Sequence, residues 1–302
     1  MQNVPHRFES LSEVHRTLGL PPPAHPLISL VEIKDKEINP DKLPASFVYN
    51  FYKISLKLNL RGKLKYGQGY YDFDEGGMFF KGPNQVSGVG DHNDDHAGFT
   101  ILIHPDFFLN YPLAKKIKQY GFFSYSVNEA LHLSEKEKAT ILSIFKNIDE
   151  ELLGRIDDFS HDVIISQIET LLNYSNRFYK RQFITRKAIH HDMLERVDEI
   201  LNEYFSSDGP VERGLPTVQH LAGVLNLSPG YLSDMLRSLT GRSAQQHIHD
   251  KLIEKAKERI STTNLTISEI AYGLGFEHLS SFNKLFKSKT KLSPLEFRRS
   301  FN

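Results

Sequence analysis

The 302-residue sequence contains no cysteine. The chain therefore forms no disulfide bond, no thiolate metal site and no cysteine nucleophile. No apolar run approaches the roughly 18 residues that a membrane-spanning helix needs. The first residues, MQNVPHRFESLSEV, also lack the apolar core of a signal peptide. These absences predict a soluble cytoplasmic protein with no membrane partner.

Short enzyme motifs are also missing. The sequence holds no G-x-S-x-G, P-loop or dinucleotide-binding pattern. One polar run, DHNDDH at residues 91–96, contains the carboxylates and imidazoles that metals bind. It is either a metal site or a solvated loop, and we favour the loop because polar residues concentrate in loops in any case. We therefore predict a protein that is not an enzyme and holds no metal or cofactor.

The whole chain has no formal net charge, but its two parts carry opposite net charges. The 37 basic residues balance 37 acidic ones. Residues 210–302 nevertheless carry 13 lysines and arginines against 8 aspartates and glutamates, so the remaining residues carry an equal excess of acid. A basic C-terminal third predicts an anionic partner for that part of the chain.

Strand patterns occupy residues 27–109, after an N-terminal arm (1–26) in which we predict one short helix near Leu11–Leu18. The segments SFVYNFYKISLKLNL (46–60) and FTILIH (99–104) are rich in β-branched and aromatic residues, and Gly-rich turns separate such runs. Short strands at this spacing predict a small antiparallel sandwich or barrel.

Aromatic residues on these strands allow two interpretations. They form either the wall of a site for a small-molecule effector or simply the core, which is the commoner outcome. The residues concerned are Tyr49, Tyr52, Tyr66, Tyr70, Tyr71, Phe73 and Phe80. As effector-binding candidates we keep Tyr52, Tyr66, Tyr70 and Phe80.

Helix patterns follow the strands. Ser134 and Glu137 have the spacing of a capping box at the start of the first helix. The second helix, 160–185, has a narrow stripe of residues spaced by 4, 3, 4 and 3: Ile164, Ile168, Leu171, Ser175 and Phe178. Such a stripe packs either against a second copy of the chain or on the chain's own sheet. A third helix is predicted over Lys187–Phe205.

From Thr217 to the end, the sequence predicts short helices with explicit start signals. A hydroxyl residue precedes each predicted helix, and in most cases a following Pro, or a Glu or Gln three residues on, strengthens the signal. The signals are Thr217, Ser228 with Pro229, Ser243 with Gln246, Thr266 with Glu269, and Ser293 with Pro294 and Glu296. So many starts exclude one long coiled coil.

A repeat organises these helices. The stretch TISEIAYGLGFEHLSSFNKLFK (266–287) is echoed by VQHLAGVLNLSPGYLSDMLRSLTG (218–241), with an offset of 49 residues before the turn and 50 after it. Each copy has the form helix, short turn, helix, with a small alanine at Ala222 or Ala271. We therefore predict two helix-turn-helix motifs, the first beginning at Val218 and the second at Ile267.

The residues between the motifs predict one continuous helix over 243–261. About 18 residues at 1.5 Å each give a helix of roughly 27 Å. With the width of the flanking helices, two recognition helices would then lie about one duplex turn apart, roughly 34 Å. One chain could therefore enter two successive major grooves on one face of DNA.

The residues that face DNA are predicted by excluding those that face the core. In the second motif, the outward residues are Ser280, Asn283, Lys284 and Lys287; in the first motif, they are Gly230, Ser233, Asp234 and Arg237. Asparagine reads adenine, and lysine reaches guanine acceptors or phosphate. Asp234 is either a reader of cytosine or an ordinary solvated helix charge. Candidate phosphate contacts are Arg242, Lys255, Lys289, Lys291, Arg298 and Arg299, although a solvated face explains several of these equally well.

These residues also carry a family resemblance. The stretch ISEIAYGLGFEHLSSFNKLFKSKTKLSPLEFRR (267–299) follows the order Ile-Ala, Gly-Phe, an aromatic residue, Phe-Lys, Ser-Pro and aromatic-Arg. Because this order of residues is typical of the AraC/XylS-type transcriptional regulators, residues 187–302 resemble that family. Three departures stand out. Lys291 occupies a position where the family usually has Gly, Asp234 replaces a commonly basic or polar reader, and Lys251-Leu252 stands where Arg-Leu is usual.

The resemblance implies a multidomain α+β protein. Its implied parts are an N-terminal arm (1–26), a cupin-like β-barrel sensor (27–133), helices for dimerisation (134–185), and an all-α DNA-binding domain with two helix-turn-helix motifs joined by a linker helix (186–302). The implied function is a sequence-specific transcription regulator, an activator modulated by an unknown small-molecule effector. The implied partners are double-stranded promoter DNA, RNA polymerase and a second copy of the chain, bound through helices 134–185.

Two alternatives stay open at this point. One is a metal-dependent cupin enzyme with an appended DNA-binding domain. The other is a constitutive DNA-binding regulator whose barrel is purely structural and binds no effector.

Overall fold

The structure is a computed structural model that describes residues 5–33, 44–58, 63–66, 69–72, 76–88, 97–126, 129–154, 157, 159–185, 187–207 and 209–301. The chain divides into two compact units, an N-terminal unit (Met1–Gln182) and a C-terminal unit (Phe183–Asn302). The polar run at 91–96 and Phe73 lie outside the described residues. Within the described ranges, no helix has the length and apolar character to cross a membrane.

The N-terminal unit consists of short strands followed by helices. Its strands are β1 His6–Phe8, β2 Ile28–Ile33, β3 Ser46–Tyr49, β4 Tyr52–Lys57, β5 Lys63–Tyr66, β6 Gly69–Asp72, β7 Gly77–Lys81, β8 Val86–Gly88, β9 Gly98–Ile103 and β10 Leu131–His132. Its helices are α1 Leu11–Leu18, α2 Leu113–Lys116, α3 Glu135–Leu153 and α4 Ser160–Thr185, whose last three residues are assigned to the C-terminal unit.

Three open sheets account for the strands that the structure describes. The largest has the order β10-β7-β4-β9-β2, with every neighbouring pair antiparallel. The others are β1-β3-β8 and the β5-β6 hairpin. The predicted β-rich N-terminal region is therefore confirmed, whereas the closed cupin-like barrel is not. The strand-rich run 46–60 is interrupted at Asn50–Phe51, and β3 and β4 pair in different sheets.

The predicted N-terminal arm is part of the core of the N-terminal unit. The helix over Leu11–Leu18 is confirmed, with Ser10 accepting a hydrogen bond from the backbone N–H of Glu13. However, β1 pairs in parallel with β3, and one buried cluster contains Phe8, Leu11, Val14, Phe47, Tyr49, Phe51 and Leu102. The described residues of this segment therefore pack against β3, because their apolar side chains lose contact with water there.

Two of the four effector candidates belong to the core. Tyr52 and Phe80 are each 7% exposed. Their rings lie 4.9 Å from Phe123 and 4.5 Å from Phe122, measured between centroids. This packing favours the core interpretation for both residues, because aromatic neighbours already cover their faces. The structure describes Tyr66 and Tyr70 by backbone only, so their interpretation stays a prediction.

The apolar stripe of α4 packs within its own chain. All five stripe residues, Ile164, Ile168, Leu171, Ser175 and Phe178, are buried. Ser175 lies against Met78 of β7, with 3.9 Å between its Oγ and the methionine sulfur. The opposite face of α4 is exposed and polar, with His161, Asp162, Ser166, Thr170 and Asn173. The stripe therefore provides no support for the predicted homodimer through helices 134–185.

The C-terminal unit is helical, as predicted. Its complete helices are α5 Lys187–Ser206, α6 Gly209–Arg213, α7 Val218–Val224, α8 Pro229–Thr240, α9 Ala244–Thr262, α10 Ile267–Gly273, α11 Leu279–Thr290 and α12 Pro294–Arg299. The predicted caps are confirmed, since Thr217, Ser228, Thr266 and Ser293 each accept a hydrogen bond from the backbone N–H three residues on. At Ser243 the bond has the reverse direction, since Oε1 of Gln246 accepts from the backbone N–H of Ser243. Local hydroxyl chemistry thus fixes where these helices begin.

The two motifs also share their backbone irregularities. The first motif consists of α7 and α8, and the second of α10 and α11. Each has a residue with positive φ in its turn, Asn226 in the first and Gly275 in the second. Each also ends on a left-handed residue, Gly241 after α8 and Lys291 after α11. The repeat predicted from apolar positions therefore extends to conformations that only a few residue types adopt easily.

Candidate nucleic-acid interface

One helix joins the two motifs. The predicted linker over 243–261 is confirmed as α9, whose 19 residues give a length of about 28 Å. Its buried face includes Ala244, Ile248, Leu252, Ala256 and Ile260. This spacing of four places the apolar residues on one side, where α9 contacts helices of both motifs.

The second motif presents α11 as predicted. Phe282 and Phe286 are completely buried. Their rings form a row in which centroids of neighbouring rings are 5.3 to 5.7 Å apart, from Phe276 in the turn to Phe297 in α12. This aromatic row packs one face of α11 against the core. The opposite face exposes Ser280, Lys284 and Lys287, and Asn283 is half-buried. Among the residues that the structure describes, the ion pairs of this unit involve other cations, so neither lysine is bound to a carboxylate. The pKa of the Glu296 carboxyl is nevertheless lowered, first by its hydrogen bonds at Ser293, and Lys287 lies near enough to add to that lowering.

The first motif presents a more neutral surface. On α8, Arg237 donates from Nη1 to Oδ1 of Asp234 at 2.7 Å. This contact favours the helix-charge interpretation of Asp234, because its carboxylate already has a cation one turn away. Gly230 and Ser233 are half-buried. The sequence argument missed Tyr231, which is buried and lies 5.1 Å from the ring of Phe183; its position four residues before Met235, on the same face, would have indicated this.

Three of the predicted phosphate contacts already have an acidic partner. Lys255 pairs with Glu258 at 3.0 Å on the same helix. Arg242 and Lys289 both pair with Asp250 of α9, at 2.9 and 2.8 Å. These three cations therefore reach a phosphate only in competition with a carboxylate.

The other three predicted phosphate contacts differ in exposure. Lys291 and Arg299 are exposed. Arg298 is turned toward the end of α9, where its Nε donates to the carbonyl of Ile260 at 3.4 Å and its Nη2 is buried. The phosphate contact of Arg298 stays a prediction, for a side chain whose Nε is already bound at the end of α9.

Ionisation around Asp250 follows from burial and charge together. Partial burial alone would raise the pKa of Asp250, but the hydrogen bonds and charges of Lys289 and Arg242 outweigh it, so the pKa is lowered. Burial is also the main reason that the pKa values of His247 and His249 are lowered. At neutral pH the cluster is therefore one carboxylate held between two cations.

A second contact network positions the turn of the second motif, and sequence reasoning missed it. Arg259 of α9 donates to the carbonyl of Gly273 at 2.9 Å and to that of Phe205 at 3.3 Å. Gly275 follows, at φ +91°, so close to Gly214 that a Cβ would lie 2.6 Å from the Gly214 carbonyl carbon. Tyr204 donates to the Gly214 carbonyl at 3.0 Å. The turn of the second motif is thus bound to the segment that precedes the first.

Lys291 leads to a prediction about stability. Its φ of +67° is left-handed, which costs a residue with a Cβ about 1–2 kcal/mol relative to glycine. We expect Lys291→Gly to raise the free energy of unfolding by about 0.5–1 kcal/mol, because glycine's greater freedom in the unfolded chain offsets part of the gain. Urea denaturation would measure the change.

Lys291→Ala is the matched control for that substitution. It removes the same charged side chain but keeps the Cβ, so we expect no gain in stability. An equal gain for Lys291→Ala would show that the lysine side chain, and not its backbone conformation, is the source of the effect.

Comparison with known proteins agrees with this geometry. Residues 221–300, from the middle of α7 to the end of α12, match a family model described as a helix-turn-helix domain. The chain is 27% identical over 204 residues to the HTH-type transcriptional regulator YobQ of Bacillus subtilis (strain 168), covering 67% of this chain and 79% of that protein. It is also 29% identical over 140 residues to the arabinose operon regulatory protein of Escherichia coli (strain K12), covering 46% of this chain and 45% of that protein.

One solved structure matches about a third of the chain. The C-terminal domain of the two-component response regulator yesN from Fusobacterium nucleatum subsp. nucleatum is 32% identical, with 35% of this chain and 98% of that chain covered and a TM-score of 0.32. The chain thus spans almost all of that single domain but less than half of the arabinose operon regulatory protein.

Proposed function

We propose that the protein is a transcription regulator that binds double-stranded DNA through α8 and α11, and that its C-terminal part is the AraC-type helix-turn-helix domain that the sequence predicts. The observation that carries the proposal is the pairing of two complete motifs on one continuous linker helix. A length of about 28 Å suits recognition helices about one duplex turn apart.

In the second motif, Lys284 and Lys287 supply charge and Asn283 supplies base recognition. The lysines are exposed on a helix that aromatic packing fixes from behind. Asparagine has the bidentate geometry for adenine. In the first motif, Ser233 and Arg237 are the base contacts, with Arg237 held in place by Asp234. The second motif therefore contributes most of the affinity, and the first contributes selectivity.

The N-terminal unit is the regulatory part of the proposal. Its support is an independent fold with its own buried core, preceding the DNA-binding part in the same chain. Activation through RNA polymerase and modulation by a small-molecule effector rest on the resemblance to AraC/XylS-type regulators. Binding to DNA needs no second copy, because one chain presents both motifs.

Selection from a pool of random duplexes about 40 base pairs long tests the proposal, followed by footprinting of the selected sites. We expect two protected segments on one face of the duplex, about 10–10.5 base pairs apart. Affinity should fall steeply as salt rises, because phosphate contacts release counterions. Recovery of no sequence above the starting pool, with no salt-dependent retention, would contradict the proposal.

A further inference from the structure

Asp250 pairs with two cations that belong to different motifs. Arg242 directly follows Gly241, the residue that ends α8, and its Nη1 donates to Oδ2 of Asp250 at 2.9 Å. Lys289 lies in the last turn of α11, and its Nζ donates to Oδ1 at 2.8 Å. Each carboxylate oxygen of Asp250 therefore accepts a hydrogen bond from the end of a different motif.

This arrangement differs from the ordinary ion pairs of the same unit. Lys255 with Glu258 and Arg237 with Asp234 are pairs within one helix, three residues apart. Asp250 instead joins groups that are 8 and 39 residues distant in sequence. Asp250 and Lys289 are each about one-third exposed, so water screens their contact less than it screens the contact of the more exposed Arg242. One acidic side chain thus restrains the ends of α8 and α11 together.

We propose that Asp250 is a positioning residue that limits sequence-independent DNA binding by holding Arg242 and Lys289 away from the phosphate backbone. This inference rests on the proposed function. Sequence-independent affinity depends on the number of phosphates that free cations neutralise. With two cations withheld, the protein binds an arbitrary duplex weakly, and the base contacts of α8 and α11 decide where it binds.

The substitution Asp250→Asn tests this. Asparagine has the same shape but carries no charge, so both cations are released. On a random-sequence duplex of about 40 base pairs, we expect affinity to rise about three- to tenfold at about 0.1 M salt. The slope of log affinity against log salt should steepen by about 1 to 2, since each added phosphate contact contributes about 0.9. A change in slope reports the number of phosphate contacts, which a purely structural role of Asp250 would not increase.

Glu258→Gln is the matched control. It removes the same charge from the same helix, but its partner Lys255 belongs to a local pair. We expect a gain in affinity of less than twofold. An equal gain for Glu258→Gln would show that the gain comes from the change in net charge alone and would overturn the proposal. Unchanged or weaker binding of the Asp250→Asn protein to the random duplex would overturn it as well.

Cation variants supply a second test that keeps Asp250 in place, in case Asp250→Asn does not fold. Lys289→Gln should weaken binding to the random duplex less than twofold, because this lysine is already held. Lys287 lies on the same helix and is not paired with a carboxylate among the described residues, so Lys287→Gln should weaken binding to the random duplex severalfold. Equal losses would overturn the proposal. Wild-type protein that binds no duplex at any salt concentration would instead contradict the proposed function, so the two failures are distinguishable.

Discussion

Replacing Gly275 with alanine is expected to lower the free energy of unfolding of the C-terminal unit by about 3 kcal/mol, near the upper end of ordinary single substitutions. Two effects add. The backbone of Gly275 has φ +91°, a conformation that a residue with a Cβ adopts at a cost of about 1–2 kcal/mol. The new methyl group would also lie 2.6 Å from the backbone of Gly214, so either the turn or the segment before α7 must move. Thermal and urea denaturation would measure the loss.

Gly241→Ala separates these two effects. Gly241 has φ +75°, but a Cβ there would meet nothing within 4 Å. We therefore expect it to cost only the conformational part, about 1 kcal/mol. If both substitutions cost the same, the close approach of Gly275 to Gly214 contributes nothing to stability.

The largest expected effect on DNA binding comes from the double substitution Lys284→Ala and Lys287→Ala. We expect affinity for a selected site to fall about 30- to 100-fold at about 0.1 M salt, with the salt slope shallower by about 2. The reason is that both lysines are exposed on α11, and neither pairs with a carboxylate within the described part of the chain. Fluorescence anisotropy over a salt series would measure affinity and slope together.

Arg237→Ala in α8 is the control for that pair. Arg237 is already bound to Asp234 at 2.7 Å, so its removal changes the net charge available to phosphate little. We expect a loss of less than tenfold, concentrated on selected sites and small on random duplexes, because an arginine that reads a base affects specificity. A loss on random duplexes as large as that of the lysine pair would contradict the division of roles between the motifs.

Local features of the C-terminal unit could be predicted from the sequence because short-range chemistry determines them. Thr266 and Glu269 form a capping box wherever a helix starts beside them. The faces of α11 follow from the spacing of Phe282 and Phe286. The family resemblance implies glycine at position 291, and the left-handed backbone of Lys291 gives the physical reason for that preference.

Contacts between distant segments could not be predicted in the same way. Periodicity showed that α4 has an apolar stripe, but not that the sheet of the same chain covers it. Likewise, no local pattern connects Lys289 to Asp250, or Arg259 to the carbonyl of Gly273. Such contacts depend on how helices pack, and a hydrophobic pattern specifies the buried face of a helix without specifying its neighbour.

Under the proposed function, the pairing of both motifs on one linker helix has a consequence for dosage. If a single chain binds its site, no assembly equilibrium precedes DNA binding. Occupancy of a site then rises with the first power of protein concentration and follows a simple hyperbola, without the threshold that a dissociating dimer would impose. A cell with few copies would lose occupancy in proportion to copy number, and halving the amount of protein would never shut off its sites abruptly.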